Sequence, residues 1–243
     1  MDLVLGALGY PFQKENRGYL VWGAILFTVP PLVYSLLPGL PYVGLIGTLV
    51  EAGIFAYMIL FFQSVLETAT RGDERLEWPD LSDAHTLATE VFRIAIPVII
   101  SFLPVIALFV YWTISGAFRD RESHPVTALR ILSLSGGMVA GAAYLPMALL
   151  AYSFYGETAV VKVWAIVPAI ARVWSDYWKV VLLLVGLFLV HGSLAALAFR
   201  WPLPIAVPIA ALLFYYTMVA GVRAIGLLYR RNRDRLGWER ARS

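Results

Sequence analysis

Gly18–Val50 reads GYLVWGAILFTVPPLVYSLLPGLPYVGLIGTLV, a run of 33 residues with no charged side chain. The hydrocarbon core of a bilayer is about 30 Å thick, and a helix needs about 20 apolar residues to cross it. The run is too long for one crossing. It continues past Glu51 to Gln63 and is broken at Pro38-Gly39-Leu40-Pro41, so it predicts two spans joined by a tight turn. Four further stretches, 94–118, 131–156, 180–199 and 201–222, are equally free of charge. Each is long enough for one more span. The prediction is an all-α polytopic helical membrane protein with six transmembrane helices, at about 18–37, 43–69, 87–115, 127–155, 177–199 and 203–229. A basic tail, 230–243, follows, and 1–243 forms a single membrane domain.

Composition agrees. Hydrophobic residues make up 60% of the chain and the mean hydropathy is +0.75, against about 45–50% apolar residues in a soluble domain. There is no cysteine, which excludes a disulfide framework, thiolate chemistry and a cysteine zinc site. The first 17 residues carry Asp2, Lys14, Glu15 and Arg17. They lack the basic start, apolar core and small-residue cleavage site of a signal peptide, and none is expected.

Charge placement predicts orientation. Of 19 Lys and Arg, only Arg119, Arg121, Arg130 and Arg200 fall on one side of the predicted spans. Cytoplasmic loops retain Lys and Arg, so the other side, with both termini, is expected to be cytoplasmic. Trp22, Trp112, Trp178, Trp201 and Trp238 lie near predicted span ends, as interfacial anchors do. Two short apolar segments, Leu3–Tyr10 and Val163–Trp174, precede spans one and five and read as interfacial helices. The competing reading makes them extensions of the next span.

An internal repeat is legible. Arg71-Gly-Asp-Glu74-Arg75-Leu76-Glu-Trp78 follows span two, and Arg231-Asn-Arg-Asp234-Arg235-Leu236-Gly-Trp238 follows span six. Both fit Arg-x-x-acid-Arg-Leu-x-Trp. Two hairpins that begin and end on the same side make a parallel repeat, a common device in transporters. The bland alternative is that arginine and tryptophan favour such exits anyway. With Asp80, these segments form the candidate docking set: Arg71, Glu74, Arg75, Trp78, Asp80, Arg231, Asp234, Arg235 and Trp238.

Within the spans, Glu51 is the only core acid and His191 lies at a similar depth in span five. Intramembrane ionisable groups are costly and mark a function or a specific pair. A Glu51–His191 contact is geometrically allowed, and the pair is the candidate polar site; a purely structural role for each is the alternative. Arg223, near the inner end of span six, reads as a snorkelling side chain. Arg172 and Asp176, four apart, read as a helical ion pair. Gly136, Gly137, Ala140, Gly141, Ala142 and Ala143 form a small face for close helix packing on span four. Asp80, Asp83 and His85 have hard-cation chemistry but no recognised spacing, so no metal, cofactor or catalytic residue is assigned. Nucleophile-elbow, zincin and phosphate-loop motifs are absent from the sequence. The arginine tail suits anionic lipid. With no aromatic residue but Trp238 to stack on bases, nucleic acid is not an expected partner.

Leu8-Gly9-Tyr10-Pro11-Phe12, Arg71-Gly72-Asp73-Glu74 and Leu76-Glu77-Trp78-Pro79-Asp80, with Tyr144-Leu145-Pro146-Met147-Ala148 and Ile225-Gly226-Leu227-Leu228-Tyr229, resemble the membrane family catalogued as domain of unknown function 4013. The likeness spans nearly the whole chain through short motifs. Two departures are the arginine-rich 230–238 and the absence of proline after Leu76. The resemblance implies a multi-span prokaryotic protein of the cytoplasmic (inner) membrane and no particular activity. The function expected is that of a non-enzymatic accessory or scaffold subunit with a protein partner. The alternatives are a small-molecule or lipid transporter using Glu51 and, more weakly, an enzyme acting on lipid headgroups through Asp80 or Asp83.

Overall fold

A computed structural model describes residues 3–36, 41–75, 84–114 and 124–238, and among them there is no strand. Among the described residues nine α-helices form: α1 (Leu3–Gly9), α2 (Arg17–Leu36), α3 (Pro41–Arg71), α4 (Ala84–Ile114), α5 (His124–Tyr155), α6 (Glu157–Val160), α7 (Val163–Arg172), α8 (Trp174–Ala198) and α9 (Leu203–Leu236). Among the described residues, α3, α4, α5, α8 and α9 contain stretches long and apolar enough to cross a membrane. The chain is a multi-pass helical membrane protein. The expected first span coincides with the 20-residue α2, whose described apolar stretch, Arg17–Val29, is shorter than those five.

Both short segments are helices of their own rather than extensions. A 3-10 turn, Tyr10–Phe12, separates α1 from α2. Val173, at φ −115° and ψ 21°, separates α7 from α8. This second break overturns the expected Arg172–Asp176 pair. The two residues belong to different helices, so four-residue spacing does not put them on one face. Asp176 pairs elsewhere.

Contacts divide the chain into two compact units, Met1–Val91 with Arg172–Ser243, and Phe92–Ala171. In the first, α9 is the hub: it packs against α1, α2, α3 and α8. Its sequence explains this. From Tyr215 to Tyr229 it is buried nearly all round, the signature of a helix with neighbours on every side. Small residues let those neighbours approach. A Cβ on Gly226 would collide with Ala69 of α3, and one on Gly221 would lie 2.8 Å from Leu184 of α8. At Gly23 of α2 the missing side chain leaves room for the ring of Tyr215. That ring stacks on Phe61 at 5.6 Å, in a core with Tyr10, Leu20, Met58, Val65 and Val219.

The second unit joins α4 from Phe92 onward to α5, α6 and all of α7 but Arg172. The predicted small face on α5 is narrower than expected. Gly137 and Gly141 take up Val105 and Phe102 of α4, whereas a Cβ on Gly136 would meet open space. Gly137 and Gly141, four apart, lie on one face of the helix, whereas Gly136 is turned from Gly137 by about 100°. Tyr144 of α5 donates to the Val160 carbonyl at 2.8 Å and ties down α6.

Candidate functional site

In the first unit, α2 and α8 begin, and α3 and α9 end, at one arginine-rich end. α9 has 34 residues. At 1.5 Å per residue it is about 51 Å long, about 20 Å more than the hydrocarbon core. Its last turns, with Arg230, Arg231, Arg233 and Arg235 exposed, extend the bundle as a rigid rod.

Arg223 holds this end together. It is 4% exposed. Its guanidinium lies 4.0 Å from the centre of the Tyr10 ring, and its Nη1 donates to the Asp73 carbonyl at 2.9 Å. It is therefore a buried clasp rather than the snorkelling side chain expected from its position, because the segment from Tyr10 folds back over it and closes its path to water. Burial outweighs the adjacent positive charge and raises the Tyr10 phenol above its ordinary value, so the ring meets the cation as a neutral π face. The Arg223 Nε has no partner.

Asn16, 1% exposed, grips the next carbonyl. Its Nδ2 donates to Glu74 O at 3.2 Å and to Tyr10 O at 3.2 Å. The loop after α3 is thus held through consecutive backbone carbonyls, Asp73 by α9 and Glu74 by the start of α2. Gly72 makes the turn possible: at φ +90° it is in the left-handed region, and the Asp73 N–H closes on Thr68 O at 2.9 Å. A Cβ there would sit 2.5 Å from the guanidinium carbon of Arg230, so α9 also covers this turn. Outside the clasp, Arg75 Nε meets Glu15 Oε2 at 3.2 Å, with both side chains well exposed.

A second knot ties α8 to α9. Asp176, 9% exposed, accepts from Lys179 Nζ at 2.9 Å and Asn232 Nδ2 at 3.2 Å, and forms an ion pair with Arg231, Nε to Oδ2 at 3.3 Å. Asn232, 3% exposed, also donates to Leu228 O. Trp238 stacks on Tyr229 at 6.3 Å.

Of the candidate docking residues, Arg71, Glu74, Arg75, Arg231, Asp234 and Arg235 are all exposed and share this end of the unit. Trp78 and Asp80 lie outside the described residues, as do Asp83 and the side chain of His85. Glu51 and His191 are not brought together: no hydrogen bond or ion pair links them among the described residues. Glu51 is exposed, near the start of the apolar stretch Val50–Arg71. His191 packs against Phe214 at 5.8 Å, with its Nδ1 buried and without a partner. Sequence reasoning passed over Asn16 and Asn232, and gave Asp176 the wrong partner. The available signal was an asparagine beside arginine at the edge of an apolar run in both places.

No protein-family model, no curated protein and no solved structure matches the chain.

Proposed function

We propose that the protein is a non-enzymatic accessory or scaffold subunit of the prokaryotic cytoplasmic membrane that docks a protein partner on its arginine-rich end. One observation carries the reading. The first Arg-x-x-acid-Arg segment, 71–75, is held against α9 just ahead of the second, 231–235: Arg223 donates to the Asp73 carbonyl and Arg230 lies over Gly72, while Asn16 grips the Glu74 carbonyl from the start of α2. The clasp uses backbone carbonyls, which leaves the side chains of Arg71, Glu74, Arg75, Asp234 and Arg235 exposed. A rigid surface of mixed charge suits electrostatic selection of a partner. The excess of Lys and Arg supports a cytoplasmic location for this end, where the basic tail suits anionic lipid. Membership of the family resembled by the quoted motifs belongs to the same reading.

The test is affinity purification of the full chain from its native membranes in mild detergent, followed by quantitative mass spectrometry. A protein at equal stoichiometry, lost when Arg71 and Arg235 are both changed to Glu, is the expected result. A chain that elutes alone, carrying a defined small molecule, overturns the reading in favour of transport. Substrate flux in a Glu51→Gln variant then becomes the next measurement.

A further inference from the structure

Where α2 begins and α3 ends, the surface dips into a cavity of about 250 Å³ lined by Glu15, Asn16, Tyr19 and Arg75. At roughly 30 Å³ per water it holds about eight waters. That is below the roughly 300–1,000 Å³ of sites for drug-sized molecules and suits a headgroup. Beneath it lies a gap between Leu20, Phe61, Tyr215 and Val219 that is too narrow for water. The floor is closed and largely apolar, so only the polar part of a ligand enters.

Among the described residues the lining presents one cation, one anion, one amide and one aromatic ring. Arg75 and Glu15 touch through a single Nε–Oε2 contact at 3.2 Å, with their side chains 82% and 57% exposed. An exposed pair of this kind is held weakly. Each partner gains by trading the other for a better-fitting ion. A guanidinium binds phosphate oxygens through paired N–H groups. A carboxylate accepts from a primary ammonium, which has three donors; a quaternary ammonium offers none.

We propose that this cavity binds a phosphoethanolamine group, with its phosphate on Arg75 and its ammonium on Glu15 beside the Tyr19 ring. The site shares Arg75 with the docking surface proposed above, but lipid binding at it needs no protein partner. Its level in the bundle matches the headgroup layer: α2 starts at Arg17, and Trp22, 60% exposed, is the kind of side chain that anchors at that layer. Val21 and Ile25 are exposed on the same helix and offer a surface for acyl chains. Phosphatidylethanolamine of the bilayer and a water-soluble phosphoethanolamine ester share this chemistry.

The experiment reconstitutes the full chain in nanodiscs of equal phosphatidylethanolamine, phosphatidylcholine and phosphatidylglycerol and counts retained lipids by native mass spectrometry. Phosphatidylethanolamine is expected about fivefold enriched over the other two, the scale set by one exposed ion pair. Arg75→Gln and Glu15→Gln each bring the enrichment to parity while the melting temperature stays unchanged. Glu15→Lys turns the preference to phosphatidylglycerol. Added glycerophosphoethanolamine separates the sources. Displacement of the lipid shows that the headgroup alone suffices, and retention assigns the site to the membrane lipid; both support the proposal. Enrichment that survives both glutamine variants overturns it, and so does equal retention of phosphatidylglycerol by the unaltered chain.

Discussion

The two arginine exits share a sequence pattern and differ in structure. In the first, the helix stops at the opening arginine: Arg71 is the last residue of α3, and Gly72 turns the chain at φ +90°. In the second, the helix runs through the pattern to Leu236 and ends only at Gly237, at φ +66°. Both stops are left-handed glycines, but five residues apart in the pattern. The first exit is a loop gripped by its carbonyls; the second is a rod gripped by side chains at Asp176 and Asn232. The hairpins α2–α3 and α8–α9 point the same way, as the parallel repeat requires. Their packing is not symmetric, because α9 is a hub with neighbours that α3 lacks. A shared local pattern therefore does not impose a shared backbone. The position of glycine decides where each helix ends.

Substitutions can break the comparison at graded strength. The largest effect is expected at Arg223→Ala, which removes the cation from Tyr10, leaves the Asp73 carbonyl without its donor and opens a cavity. Together these destabilise by about 2–4 kcal/mol. Thermal unfolding in detergent should show it, with the first exit becoming protease-sensitive while the second stays protected. Asp176→Ala does the reverse. It strips the buried Asn232 and its neighbours of an acceptor, costs about 2 kcal/mol, and should loosen α8 from α9 in hydrogen exchange without exposing 72–75.

The glycines sharpen the contrast. Gly72→Ala is strained by its positive φ and also meets Arg230, whereas Gly237→Ala is strained but surrounded by open space. About 1–2 kcal/mol is expected for the first and about 1 kcal/mol for the second, read as the order of their melting temperatures. Equal losses would mean that Arg230 does not press on the first turn. The smallest effect belongs to Arg71→Gln. Its exposed contact with Glu67, at 3.4 Å, contributes under about 0.5 kcal/mol, so stability should not move measurably. Any loss of partner binding in that variant is then a surface effect.

The sequence by itself determined the membrane class, the helical character and the separate helices α1 and α7. Hydrophobic length and charge exclusion are local quantities, and a bilayer acts on them segment by segment. It also marked the arginine-rich exits, because Arg-x-x-acid-Arg-Leu is visible as text. What only the tertiary structure decided is which residues meet. Arg223 became a clasp because Tyr10, more than 200 positions earlier, folds over it. Asp176 chose Lys179, Arg231 and Asn232 over Arg172 because one break at Val173 removed the helical spacing. No hydrogen bond or ion pair joins Glu51 to His191 among the described residues, since an expected depth in a span says nothing of the direction a side chain faces. Pairing depends on the rotation and crossing of helices, which follow from small residues such as Gly23, Gly221 and Gly226 packing against particular neighbours. No single segment of the chain carries that information.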